Sequence, residues 1–206
     1  GVIISSRSSP YGSGSTSIST GLALSGNSGD IISVTGVSKV RSGSIILSVG
    51  ASNLKGGNVN IVAGSSQAGT GGDVTISSGQ GKQNGGSFSL FTGASSDRSG
   101  NIRIATGTSS SGNTGSISLR TGDSAASSGN FRLETGKALF GSAGRVVIST
   151  GFTARSHIGA DIKIKAGNAQ DGNGGQLSLI GGYSANGTGG SVHIASGSSE
   201  SGASGG

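Results

Sequence analysis

The sequence predicts an all-β fold, a parallel β-solenoid of about fourteen stacked repeats of 14–15 residues. Three observations predict it: a fixed period, alternation of apolar and polar residues, and glycines at both ends of each alternating segment. The period comes from the motif Gly-x-β-x-β-x-(Thr/Ser/Ala)-Gly, seen clearly at 57–64, 72–79, 100–107, 115–122 and 190–197. Its first β position falls at Val2, Thr16, Ile31, Ile45, Val59, Val74 and Phe88, then Ile102, Ile117, Phe131, Val146, Ile162, Leu177 and Val192, with a single gap of 16 before Ile162. Units this short cannot bury a core alone, so a strict period means an array of stacked neighbours.

Alternation over five or six residues is the mark of a half-buried strand. Along 86–93, Phe88, Leu90 and Thr92 share one face while Ser87, Ser89 and Phe91 share the other. The inward threonine recurs as Thr20, Thr35, Thr92, Thr106, Thr121, Thr135 and Thr150. The glycine after it, the corner glycine, is expected at a bend needing positive φ or close backbone approach. Two residues later comes a second small row, Ser66, Ser95, Ser109, Ser124, Ala138, Thr153, Ala169, Ser184 and Ser199, which reads as a narrower inward wall. Strand, corner, wall and second corner would close one turn, each turn adding about 4.8 Å of sheet spacing. A buried aliphatic pair per turn offers several kcal/mol, less than the gross ordering cost. Hydrogen bonds between coils must supply the rest. The period also permits an alternative, about seven two-strand coils of about 29 residues. A helix is excluded by two or more glycines per unit and the lack of a 3.6-residue period.

Composition points another way until the period is considered. With 44 Gly, 1 Pro and 3% aromatic residues in 206, the chain has a low-complexity profile. Disorder has no reason to keep a period, and collagen would need Gly at every third residue. No apolar run approaches the roughly 20 residues that span a bilayer, so membrane insertion is not expected. The absence of Cys excludes a disulfide framework and thiolate metal sites. The whole of 1–206 reads as a single repeat array, a segment or protomer of a longer assembly. Neither end carries a capping element, which predicts head-to-tail stacking of copies into an open fibre.

Catalysis finds little support. The acids Asp30, Asp73, Asp97, Asp123, Glu134, Asp161, Asp171 and Glu200 are scattered, whereas pectin-cleaving β-helices group theirs and calcium β-rolls repeat an Asp in each nonapeptide. His157 and His193 have no neighbour at metal-ligand spacing, and solvated surface roles suit both. The Gly-x-Ser-x-Gly string at 202–206 lacks the strand-to-helix turn of a hydrolase elbow. No catalytic residue, metal ligand or cofactor is assigned.

Binding has more to offer. Arg103, Arg120, Arg132, Arg145, Lys163 and Lys165 take outward positions in a chain of formal net charge +6. They form a candidate footprint for an acidic polysaccharide or other polyanion. The plainer reading is that sparse charges keep an apolar rod soluble. Nucleic acid is not expected, because the stripe has no stacking aromatics. Ile32, Val34, Ile46, Val62 and Phe91 are outward apolar residues and a candidate lateral contact. A local register shift around Ile31–Val34 would also explain the first two. Ice binding would need outward Thr ranks, but the matching series runs Ser17, Ile32, Ile46, Asn60, Thr75, Ser89, Arg103. Asn186, in Asn186-Gly187-Thr188, is the one N-glycosylation sequon, and the Ser/Thr-rich arcs could carry O-glycans.

The units SGNTGSISLRTG (111–122) and GTGGDVTISSG (69–79) resemble the Gly/Ser/Thr-rich repeats of large secreted or surface proteins of algae such as diatoms and other stramenopiles. The resemblance covers the whole chain and implies an extracellular structural role, with no functional residues to carry over. The expected function is therefore a non-enzymatic structural protein, forming an extracellular filament or surface coat by end-to-end stacking of β-solenoid units. The alternative is a binding module of an adhesin or of a polysaccharide- or ice-binding protein.

Overall fold

A computed structural model describes residues 1–154, 158–200 and 202. Among them there is no helix and no strand; the chain is irregular, with bends clustered in the arcs between apolar segments. This overturns the parallel β-solenoid of about fourteen coils. It equally overturns the alternative of about seven 29-residue coils, since both require neighbouring coils to pair as strands. The chain divides into two units, Gly1–Arg103 and Ile104–Gly206, described separately below.

Exposure gives the reason in one figure. The chain leaves 21107 Å² accessible; a folded globular protein of this mass would leave about 8,500 Å² and a fully extended chain about 28,000 Å². None of the described residues is buried. The apolar segments still show their alternation, but only as a gradient. Val74 and Leu90 are 53% and 56% exposed, whereas Val62 and Phe91 on the opposite parity are 88% and 84% exposed. An aliphatic residue half covered gains half its transfer energy, so each unit depended on hydrogen bonds between coils, and these do not form.

What the backbone does instead is local. In the first unit the Gly72 amide donates to the Gly64 carbonyl at 2.9 Å and the Gly86 amide to Gly79 at 2.9 Å. In the second, Gly175 donates to Gly167 at 2.9 Å and Gly190 to Gly182 at 2.8 Å. Each bond joins the two ends of one arc, from a corner glycine to the glycine opening the next segment. The arc becomes a loop with a closed neck, as in an Ω-loop.

Side-chain size before the corner glycine sorts the necks into two kinds. The four closed necks have Ala63, Ser78, Ala166 or Gly181 at that position, and in each the opening glycine is the second of a Gly-Gly pair. Where a threonine stands there, no backbone bond among the described residues closes the neck. A Cβ built at Gly43 or Gly144 would lie 3.5 or 3.3 Å from Cγ2 of Thr35 or Thr135, so the threonine methyl occupies the approach. Val49 does the same to Gly57. The branched methyl keeps the two backbones apart, and only a small residue lets them meet.

Glycine at the neck is thus needed on the opposite side from the one expected. Positive φ occurs at Gly12 and Gly172, both inside arcs. The corner glycines, such as Gly64 and Gly122, face open space. The opening glycines carry the close approach: a Cβ at Gly190 would sit 2.9 Å from the Gly182 amide nitrogen. Among the described residues, the most covered are Ala23, Ala63, Thr121, Thr153, Ala166, Gly181 and Ser184, each within two residues of a corner glycine. The best-packed places are the necks, not the apolar row.

Ala63→Thr should therefore open the first closed neck. Amide hydrogen exchange at Gly72 is expected to accelerate about two- to tenfold, the worth of one net hydrogen bond. Exchange at Gly86 should not change, and an unchanged Gly72 would refute the steric rule. A dilute chain without a core is also expected to show no cooperative thermal or urea transition; a sharp two-state transition in dilute monomer would contradict this.

Candidate functional site

The second small row has a role, though not as a wall. Ser66 Oγ accepts from the Gly69 amide at 2.8 Å, Ser109 from Gly112 at 2.9 Å, Ser184 from Gly187 at 2.9 Å and Ser199 from Gly202 at 2.9 Å. Ser38 and Ser95 each accept two amides, from Val40 and Arg41 and from Asp97 and Arg98. These are Ser turns, in which a short hydroxyl side chain replaces a backbone acceptor. With their oxygens turned onto the arc's own backbone, these serines are not available to line a second inward face. Sequence reasoning missed this, although the signal was present: Ser-x-x-Gly, with the serine two residues after the corner glycine, recurs in four arcs.

The basic series is partly neutralised. Arg120 pairs with Asp123 at 3.7 Å, Lys163 with Asp161 at 3.4 Å, and Arg132 donates to Glu134. All three pairs are solvent-exposed, so their strength is modest and falls with salt. Arg103, Arg145 and Lys165 make no ion pair among the described residues. Arg103 belongs to the first unit and the other five to the second, so the second unit alone holds two unpaired members of the series.

The lateral-contact candidates Ile32, Val34, Ile46, Val62 and Phe91 are all exposed. Ile31 is more covered than either Ile32 or Val34, which favours the regular register there over a local shift. Asn186 lies in the arc held by the Ser184 turn, with its backbone exposed. His193 is exposed, while His157 and the end of the 202–206 string fall outside the described residues. The described residues enclose no cavity and bring no three of His, Asp or Glu together. Among them no helix is long and apolar enough to cross a membrane.

Set against known proteins, the chain matches no family model, no curated protein and no solved structure.

Glu134→Gln is expected to free Arg132 and raise the salt needed to elute the chain from a sulfated-polysaccharide column. Asp73→Asn supplies the control, since Asp73 pairs with no base among the described residues. Equal shifts in the two variants would mean that net charge alone governs retention.

Proposed function

We propose that this chain is a non-enzymatic structural protein of an extracellular filament or surface coat, assembled by copies of itself. One observation carries the reading: every large apolar residue described is exposed, yet the apolar segments recur every 14–16 residues. Soluble monomers rarely expose apolar surface on this scale without a partner. A second copy carries the same row at the same spacing, so repeats can align with repeats over the length of the chain. End-to-end stacking of solenoid coils is set aside with the fold. Association side by side along the apolar rows needs only the exposed residues and their period. The extracellular placement rests on the resemblance of the repeats to secreted and surface proteins of algae.

The basic series favours a second reading, a polysaccharide-binding module. Its partial neutralisation by Asp123, Glu134 and Asp161 weighs against that as the main role.

Sedimentation and electron microscopy across a concentration series test the proposal. Fibres or sheets should appear above a critical concentration, together with a thermal transition whose midpoint rises with concentration. Phe91→Ser should raise the critical concentration about tenfold to a hundredfold, the worth of burying one large apolar side chain. A chain that stays monomeric throughout while binding polyanion saturably would replace self-assembly with the binding module.

A further inference from the structure

We propose that Asn84 and Asn173 are sites of spontaneous succinimide formation that age the arc necks, and that the Ser184 turn protects Asn186 from the same reaction. The chain has three Asn-Gly pairs, Asn84-Gly85, Asn173-Gly174 and Asn186-Gly187, all in exposed arcs. Glycine has no Cβ to obstruct the approach of its own amide nitrogen to the preceding side chain. In the reaction the glycine nitrogen bonds to Cγ of the asparagine. The side-chain nitrogen leaves as ammonia, taking the proton released from the glycine N–H. Water then opens the succinimide at either carbonyl, leaving aspartate or isoaspartate. Each event adds one carboxylate and lowers the formal charge of +6 by one.

The three glycine amides are not equivalent. Gly187 donates to Ser184 Oγ at 2.9 Å, so its proton and nitrogen are held in the turn and must be released before attack. The Gly85 and Gly174 amides donate no hydrogen bond among the described residues. These two glycines also stand immediately before the donors that close their necks, Gly86 to Gly79 and Gly175 to Gly167. Isoaspartate at 84 or 173 lengthens the main chain by one carbon, two residues from the closing amide. The neck then loses its register. Several other asparagines precede bulky residues, as in Asn58-Val59, Asn101-Ile102 and Asn130-Phe131, whose side chains hinder the same attack.

The test is peptide mapping by mass spectrometry of the full chain during incubation in mildly alkaline buffer, with isoaspartate assayed site by site. Asn84 and Asn173 should convert about two- to tenfold faster than Asn186, the factor set by one net hydrogen bond. Asn101 should lag all three. Ser184→Ala should bring Asn186 up to the rate of the other two, and urea should erase the difference in the unsubstituted chain. Amide exchange at Gly86 and Gly175 should rise in step with conversion. The proposal is overturned if Asn186 converts as fast as Asn84, if Ser184→Ala leaves it unchanged, or if the ordering survives in urea.

Discussion

The structure depends on whether two backbones can meet at the neck of an arc. A hydrogen bond from an opening glycine to a corner glycine seven or eight residues earlier needs both chains within van der Waals contact. Nothing larger than alanine or serine before the corner glycine permits it. Threonine at that position sets a methyl group in the approach, and at Thr150 the hydroxyl donates across the neck to the Ala160 carbonyl at 3.3 Å. The same small choice, repeated along the chain, decides which arcs are closed loops and which are open bends.

Local closure accounts for the lack of strand pairing among the described residues. Serine hydroxyls take up arc amides three residues away, and glycine carbonyls take up the amides at the necks. Local partners form without the loop-closure and ordering costs of pairing one repeat with the next. The apolar row is left with half of each side chain in water. That exposed surface is what the proposed self-association rests on. Charge gives a weaker drive, because acids close in sequence already answer several of the bases.

Much of the local pattern was legible. The parity survives in some apolar segments, as in the difference between Leu90 and its neighbour Phe91, and is lost in others, as between Val2 and Ile3. Of the inward threonines only Thr121, and of the small row only Thr153 and Ser184, are among the most covered residues. Their partners were misread. Ser66 and Ser109 face their own arc's backbone, not a wall, and the close approach belongs to Gly72 and Gly190 rather than to the glycine after each threonine. The basic series was visible as a pattern, but the side chains of Asp123 and Asp161 were not visible as its counterions.

The sequence by itself determined where segments begin and end, which residues alternate, and which positions must be small. These are short-range properties, set by side-chain volume and by hydrogen bonds spanning a few residues. Tertiary structure decided what each face meets, and its answer is that four arcs close on themselves while the apolar row meets solvent. Alternation states that a segment has two faces. Whether a neighbour covers one of them depends on competition between distant pairing and local closure, and here glycine and serine place the local partner nearer.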